Sequence, residues 1–225
     1  DQTDAFDVEV NSARDAYIVG ATSATNFLTL PKNGAFNDAA QGSTANGARE
    51  DWFIIKFNSN AQYTWGTYFG GTKNDRALSC TIDNADNLYV VGYTDNGSLS
   101  AVPNGSAFQD NTWNGSLDGF LTKFNSSDSL IWATYYGGSS IDEAYSCKVD
   151  ASNNLYISGA TYSSNFPTFR SSSSFYKDST LAGTIDMFML KFNSSGVRQW
   201  SSYFGGTGEE GSLYYPTHKG IALDQ

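Results

Sequence analysis

The sequence is poor in charged residues, and it is especially short of basic ones. Charged residues make up 16% of the 225 residues, and 13 Lys and Arg stand against 23 Asp and Glu, which gives a formal net charge of −10. Nucleic-acid binding needs a basic surface, and docking on an anionic membrane needs basic clusters. The charge balance therefore argues against both kinds of partner.

Long apolar runs and a signal peptide are also missing. No apolar run approaches the roughly 20 residues that a membrane-spanning helix needs, so we predict no transmembrane segment. The chain begins at Asp1 without the basic and apolar regions of a secretory leader. We therefore expect that a leader has been removed or that the chain is a segment of a longer protein.

Residue patterns that support catalysis are scarce. His218 is the only histidine and has no Cys/His cluster beside it, whereas a zinc site takes three or four ligands. No serine lies in a nucleophile-elbow motif, and Gly-rich phosphate loops are absent. The Asp and Glu residues recur with the repeats described next, while catalysis by paired carboxylates needs a unique cluster. We predict that the chain is not an enzyme and has no cofactor.

Aromatic residues and glycine are abundant, and many of them belong to a sequence that occurs three times. Aromatic residues make up 15% of the chain, and there are 22 glycines. The copies are WGTYFGG at 65–71, WATYYGG at 132–138 and WSSYFGG at 200–206, with spacings of 67 and 68 residues. A fixed internal period indicates a repeat architecture.

Each repeat predicts four short strands. In the second repeat, alternating apolar residues and polar turns place the strands at 75–83, 88–94, 118–125 and 130–136. Four antiparallel strands in a unit of this length are typical of one β-propeller blade, because solenoid repeats are shorter and immunoglobulin-like modules are longer. We predict an all-β chain, a β-propeller built of four-stranded antiparallel blades.

The predicted blades form a single partial propeller over residues 1–225. Their bounds are about 1–71, 72–138 and 139–206, and a fourth blade starts at 207–225, which gives about three and a third blades. Such an arc leaves two apolar blade faces open, which a soluble monomer rarely tolerates. We expect a fragment of a longer chain, with closure by self-association as the alternative. Cys80 and Cys147 occupy equivalent positions in neighbouring blades, too far apart to form a disulfide.

The repeats resemble the SBBP repeat, a bacterial repeat that forms seven-bladed β-propellers. The resemblance covers almost the whole chain and rests on a set of motifs: Asp142-Glu143-Ala144, Asn154-Leu155-Tyr156-Ile157-Ser158-Gly159-Ala160-Thr161, Asn165-Phe166-Pro167-Thr168, Asp186-Met187-Phe188-Met189-Leu190-Lys191 and Ser202-Tyr203-Phe204-Gly205-Gly206. It implies an extracytoplasmic protein, secreted or on the cell surface and associated with the outer membrane. It also implies export by type IX secretion and a role in adhesion or scaffolding.

A binding face is predicted where long loops join the second and third strands of each blade, at 23–50, 95–117 and 162–185. Loops of this length on a rigid scaffold are usually functional or disordered. The candidate contacts, including acidic residues of the inter-blade loops, are Trp113, Phe169, Tyr176, Asp75 and Asp142. Further aromatic candidates in these loops are Phe36, Phe108 and Phe175, for which pinning of their own loop to the blade is the favoured interpretation.

Two oxygen-rich segments raise the question of calcium. They are 83–87 and 150–154, and both lack the spacing of an EF-hand loop. A hairpin turn is the favoured interpretation, and Ca²⁺ binding is the alternative. A ring of Asp4, Asp75, Asp142 and Glu210 is a second, weaker cation candidate, and Asp51, Asp118 and Asp186 are expected to bind local backbone groups. We predict no metal site.

These observations predict a non-enzymatic propeller module that acts in protein or glycan binding, adhesion or scaffolding. Its partners would be a protein or glycan ligand, or neighbouring domains of a larger chain, without nucleic acid. One alternative is a structural subunit of an outer-membrane secretion or gliding assembly. The other is part of a propeller enzyme that degrades polysaccharides, with an active site shared among several blades.

Overall fold

A computed structural model describes residues 2–39, 49–95, 97, 99, 110–209 and 220–223. These residues form an all-β structure of thirteen strands in three antiparallel sheets, none of which closes on itself. His218, Glu210 and Phe108, which were named as candidates above, lie outside the described residues.

Each sheet takes its strands from one sequence repeat. Sheet 1 contains β1 (Thr3–Val10), β2 (Ala16–Thr22), β3 (Asp51–Phe57) and β4 (Tyr63–Phe69). Sheet 2 contains β5 (Asp75–Ile82), β6 (Leu88–Thr94), β7 (Asp118–Phe124) and β8 (Leu130–Tyr136). Sheet 3 contains β9 (Asp142–Val149), β10 (Leu155–Thr161), β11 (Phe169–Arg170), β12 (Asp186–Phe192) and β13 (Arg198–Phe204).

The main strands of every sheet follow one another as an antiparallel meander. The spatial order is β1-β2-β3-β4 in sheet 1, β5-β6-β7-β8 in sheet 2 and β9-β10-β12-β13-β11 in sheet 3. The four strands predicted in the second repeat are therefore confirmed. The short β11 is the one addition, because part of the long loop of the third repeat pairs with β13.

The turns between first and second strands repeat one hydrogen-bond pattern. Asn11, Asp83 and Asp150 each accept, through side-chain Oδ1, the backbone N–H of the residue four positions later. In the two later turns Asp86 and Asn153 have φ values of 59° and 61°. Asn and Asp tolerate this left-handed conformation and bond the nearby backbone, so this composition folds into tight hairpins.

A glycine in the middle of each second strand is required by close backbone packing. A β-carbon on Gly20, Gly92 or Gly159 would lie 2.0, 1.8 or 2.0 Å from a carbonyl oxygen of the neighbouring first strand. The strand register shifts beside all three positions. These are the bulges and close approaches that glycine permits within a sheet.

The long loops fold back along the outermost strand of their own sheet. In sheet 1 the backbones of Leu30 and Gly66 exchange two hydrogen bonds. In sheets 1, 2 and 3 the fourth strand donates to the loop, from Tyr68 to Asp38, from Tyr135 to Asp110 and from Tyr203 to Asp178. The described parts of the loops therefore lie along the sheets and do not simply project from the ends of the strands.

The sheets pack face to face in sequence order through aromatic cores. Trp52 and Trp65 of sheet 1 meet Phe120 and Phe124 of sheet 2, with ring centroids 5.8 and 6.1 Å apart. Tyr136 of sheet 2 contacts Phe166, Phe188 and Phe192 of the third repeat at 5.1, 6.4 and 6.4 Å. The first strand of sheet 2, β5, contacts both β1 and β9.

The cysteines lie within these cores. Cys80 belongs to the core between sheets 1 and 2, and Cys147 to the core between sheets 2 and 3. Both are free and completely buried, so the prediction of buried, unbridged cysteines is confirmed. Burial raises the pKa of both thiols, that of Cys147 to about 12, which removes the thiolate form at neutral pH.

Candidate functional site

The two acidic candidates of the predicted binding face lie at the junctions between sheets. Asp75 begins β5 and Asp142 begins β9, and both side chains are completely buried. Asp75 Oδ2 accepts the Gly71 N–H at 2.8 Å, and Asp142 Oδ2 accepts the Gly138 N–H at 2.8 Å. Neither carboxylate is accessible in this arrangement, so we leave both out of the surface proposed below.

A second set of buried carboxylates begins the third strands. Asp51, Asp118 and Asp186 are completely buried. Asp118 Oδ2 accepts the Asn114 N–H at 2.8 Å, and Asp186 Oδ2 accepts the Ala182 N–H at 3.0 Å. For Asp118 and Asp186 these bonds agree with the interpretation made from the sequence, in which the carboxylates bind local backbone groups.

Carboxylates from two neighbouring sheets approach each other at these junctions. A β-carbon on Gly137 would lie 2.7 Å from Asp118 Oδ1 and 2.9 Å from Asp142 Oδ2, so the two groups flank the same glycine. Burial raises the pKa of Asp118 to about 7; the Asn114 N–H opposes the rise and the charge of Asp142 adds to it. Burial likewise raises the pKa of Asp142, and that of Asp75 to about 7.

The oxygen-rich turns use their carboxylates as hydrogen-bond acceptors. Asp83 Oδ1 accepts from the Ala85 and Asn87 backbones at 2.9 Å, and Asp150 Oδ1 accepts from Ser152 and Asn154 at 2.9 and 2.8 Å. In the part of the chain that the structure describes, no group of three or more His, Cys, Asp or Glu is placed to hold a metal ion. The absence of a metal site stays a prediction.

Trp113 is half-buried and packs against the core between sheets 1 and 2. The Lys73 ammonium lies 5.4 Å from the centre of its ring, at a distance typical of a cation–π contact. The indole therefore holds its own loop against the inter-sheet connection that carries Lys73, and its ring nitrogen is buried.

Phe169 and Tyr176 lie on the loop of the third repeat, in different surroundings. Phe169 is half-buried in β11 beneath the Arg198 guanidinium, which lies 4.6 Å from its ring centre. Tyr176 is 60% exposed, with its ring 6.4 Å from that of Phe204, and its carbonyl accepts the Trp200 indole N–H. Of the five candidates, Tyr176 offers the most accessible side chain.

Tyr176 is the structural counterpart of Phe36, which corrects the alignment of the loops by one residue. The indole N–H of Trp65 bonds the Phe36 carbonyl, as that of Trp200 bonds Tyr176. The sequence predicts similar loop positions for Phe36 and Phe175, whereas the tryptophan bonds match Phe36 with Tyr176. Phe36 packs against Phe69 and Phe124 at 5.3 and 6.0 Å, so it pins its loop to the sheet as expected.

Tyr176 belongs to the apolar outer face of the last sheet, one of the two blade faces expected from the sequence to be open. Along β12, Phe188, Leu190 and Phe192 face sheet 2, so the alternate residues face the other way. Cross-strand pairing places Met187 beside Phe204, Met189 beside Ser202, and Lys191 between Tyr156 and Trp200. We call this the sheet-3 outer face, and it consists of Tyr156, Tyr176, Met187, Met189, Lys191, Trp200 and Phe204.

The sheet-3 outer face is exposed where the other two sheets are covered. Phe204 is 58% exposed, whereas its counterparts Phe69 and Tyr136 are 5% and 3% exposed. Trp200 is half-buried, while Trp65 and Trp132 are buried. The repeated sequence identifies these counterparts. Their exposure differs because the next sheet covers this side of sheets 1 and 2, and the sequence of one repeat does not show whether a next sheet covers it.

A buried ion cluster between sheets 1 and 2 was also missed. Asp128 is completely buried in the turn before β8, and it accepts bonds from Tyr17 Oη at 2.7 Å, Lys32 Nζ at 2.5 Å and Lys56 Nζ at 3.3 Å. Burial, followed by the bond to Asp128, raises the pKa of Tyr17. The partners of Asp128 are 72 to 111 residues away in sequence, so no local sequence pattern predicts them.

Comparison with known proteins adds no assignment. No protein-family model and no curated protein sequence matches this chain. Within the described residues, no helix is both long enough and apolar enough to cross a bilayer.

Proposed function

We propose that the three sheets are consecutive blades of a β-propeller and that the chain is a non-enzymatic, protein-binding module of a secreted or cell-surface bacterial protein. The propeller arrangement is supported by three like meanders that pack face to face, with their first strands in mutual contact. The secreted, outer-membrane-associated location is supported by the resemblance to the SBBP repeat.

The sheet-3 outer face is the observation that carries the proposed binding function. It combines aromatic rings with two methionines, and both kinds of side chain are enriched in the buried centres of protein interfaces. Phe204 and Tyr176 are 58% and 60% exposed and lie side by side. An exposed apolar patch of this kind usually marks an interaction site, so we favour adhesion or scaffolding through protein contacts over glycan recognition.

Binding of the chain to panels of purified secreted proteins and of polysaccharides tests this function. We expect protein binding that persists at high salt, because apolar contacts are not screened, and that is lost in the double variant Tyr176→Ser, Phe204→Ser. A matched double variant at exposed residues elsewhere, Leu28→Ser with Ile131→Ser, keeps the binding.

Four results would contradict the proposal. Binding to polysaccharides alone would favour a glycan-binding module, and degradation of any polysaccharide would favour the enzyme alternative. Protein binding that survives the Tyr176→Ser, Phe204→Ser change would place the binding surface elsewhere. Specific binding to outer-membrane secretion or motility components would instead identify the chain as a structural subunit of that assembly.

A further inference from the structure

Sheet 1 has an uncovered face that complements the sheet-3 outer face. Val8 on β1 is 54% exposed, whereas its counterparts Cys80 and Cys147 are completely buried beneath the preceding sheet. Pairing across the strands places Val8 beside Ile18, and Ile18 beside Ile55. We call this surface the sheet-1 outer face, and it consists of Val8, Ile18, Phe27, Phe53, Ile55 and Phe57.

The sheet-1 outer face reproduces the side of sheet 3 that packs against sheet 2. Phe27 stacks on Phe53 with ring centroids 4.7 Å apart, just as Phe166 stacks on Phe188 at 4.6 Å. Phe166 is buried because Tyr136 of sheet 2 covers it, whereas Phe27 is only half-buried. The loop of the first repeat is therefore already arranged to receive an aromatic residue from another sheet.

The two outer faces together contain both halves of an interface that the molecule already builds. Between sheets 2 and 3, the ring of Tyr136 meets Phe166, Phe188 and Phe192. The counterpart of Tyr136 on the sheet-3 outer face is Phe204, and the counterparts of the other three rings on the sheet-1 outer face are Phe27, Phe53 and Phe57. All of these positions are aromatic, so the same packing is available between two molecules.

We propose that the chain associates head to tail with a second copy of itself, the sheet-3 outer face of one copy packing on the sheet-1 outer face of the next. Phe204 of one copy inserts against Phe27 and Phe53 of the other. This rests on the proposed binding role of the sheet-3 outer face and names its partner. The contact joins two different surfaces, so each copy keeps one free face and further copies add until a ring closes.

Neither the ion cluster around Asp128 nor the segment 220–223 prevents this contact between copies. The ion cluster around Asp128 joins sheets 1 and 2, but its position in the turn before the fourth strand is taken by Gly196 in sheet 3 and by Ala61 in sheet 1. The interface between sheets 2 and 3 forms without it, so the contact between copies does not need it either. The segment 220–223 borders a cavity at the C-terminal ends of β5 and β9, whereas Phe204 is exposed at the opposite end of sheet 3, level with the start of β9.

Sedimentation velocity of the chain and of two single variants tests the assembly. For the wild type we expect a mass that rises with concentration above the 24.4 kDa of one chain. Phe204→Asp disables only the sheet-3 outer face and Phe27→Asp only the sheet-1 outer face, so each variant alone stays monomeric, with self-association at least about thirtyfold weaker. An equimolar mixture forms a 1:1 dimer and nothing larger, because each variant supplies the face that the other lacks.

The controls separate this contact from general stickiness and from misfolding. Ile131→Asp changes an exposed apolar residue outside both faces and leaves association unchanged. Circular dichroism and thermal unfolding verify that both Asp variants remain folded. The proposal is overturned by a wild type that is monomeric at every concentration, by association of either folded variant alone, or by a mixture that fails to dimerise. A monomeric chain that still binds other proteins through Phe204 would leave the proposed function standing.

Discussion

At the residue scale, two carboxylates are buried close to each other between sheets 2 and 3. Asp118 and Asp142 flank Gly137, and no basic residue bonds either of them in the described hydrogen bonds and ion pairs. Two like charges in a buried site cannot both ionise without cost, so such pairs retain a proton at higher pH than an isolated carboxyl group. The junctions are therefore more stable in weakly acidic than in alkaline solution.

The change Asp118→Asn tests whether the charge of this carboxylate destabilises the folded protein as pH rises. Because the folded-state pKa of about 7 lies above the value near 3.9 of an unfolded chain, the folded state binds more protons, and its stability falls as pH rises between about 4 and 7. Removing the charge lessens that fall. We expect the variant to be more stable than wild type by about 1–2 kcal/mol at pH 8 and to lose this advantage at pH 4.

Urea unfolding at both pH values measures the effect. Asp178→Asn is the matched control, because hydrogen bonds from Thr180 lower the pKa of this half-buried residue's carboxyl group, which reverses the sign of the change. A variant of Asp118 that is less stable than wild type at pH 8 would show that the carboxylate is ionised and well solvated in the folded protein.

Glycine at the centre of a second strand gives a further residue-scale prediction. A β-carbon on Gly92 would lie 1.8 Å from the Arg76 carbonyl oxygen, and the backbone of β5 at Arg76 and Ala77 would have to move. We expect Gly92→Ala to reduce the free energy of unfolding by about 3 kcal/mol. Gly97→Ala is the control, because its new methyl group would lie at an ordinary 3.4 Å from the Trp113 side chain. Equal stability of the two variants would contradict the close approach.

At the scale of the strands and turns, each sheet repeats the same local contacts, whereas the contacts between sheets differ from one pair of sheets to the next. Lys56, Lys123 and Lys191 lie 4.7, 4.8 and 4.8 Å from the ring centres of Tyr17, Tyr89 and Tyr156. Only the first of these lysines also reaches Asp128 of the following sheet. The turn before β8 therefore joins sheets 1 and 2 by charge as well as by packing.

Asp128→Asn is expected to destabilise the protein by about 2 kcal/mol at neutral pH, because the buried ammonium of Lys56 then keeps only the Asp15 carboxylate, at 3.3 Å, as a charged partner. Asn keeps the left-handed backbone, for which φ is 67°, so the loss is not one of turn geometry. Asp86→Asn, at a left-handed turn position with φ of 59°, controls for the amide substitution and changes stability by less than about 1 kcal/mol. Chemical denaturation compares them, and equal losses would assign the effect to the turn.

Strands and turns were predictable from the sequence because each depends on a short segment. Alternating apolar residues located β5 to β8 within one or two residues. The alignment of Phe36 with Tyr176 was not predictable, because the loops differ in length and only the bond from the fourth-strand tryptophan fixes the register. The burial of Asp75 and Asp142 depends on a neighbouring sheet, which local composition does not show.

At the scale of the whole molecule, the two outer faces differ, so copies joined by the proposed contact all have the same orientation along the assembly. The double variant Phe27→Cys, Phe204→Cys should form disulfide-linked or bismaleimide-linked ladders on non-reducing gels, because residue 204 of one copy meets residue 27 of the next. The native Cys80 and Cys147 are buried and do not take part. Ile131→Cys with Phe204→Cys should give no ladder above that of single variants. Equal ladders from both pairs would indicate random collision.

The backfolded loops also determine where a second molecule cannot attach. Several backbone groups at the outer edges of sheets 1 and 3 are bonded to the loop of the same repeat, through Leu30, Asp38, Ser171 and Asp178. An edge strand whose backbone groups are already bonded offers no template for a strand of another molecule. Pairing of such free edges is the usual start of amyloid-like stacking. A protein with so much β-structure and so little charge is thereby shielded from sideways polymerisation, while its broad faces stay available for contact.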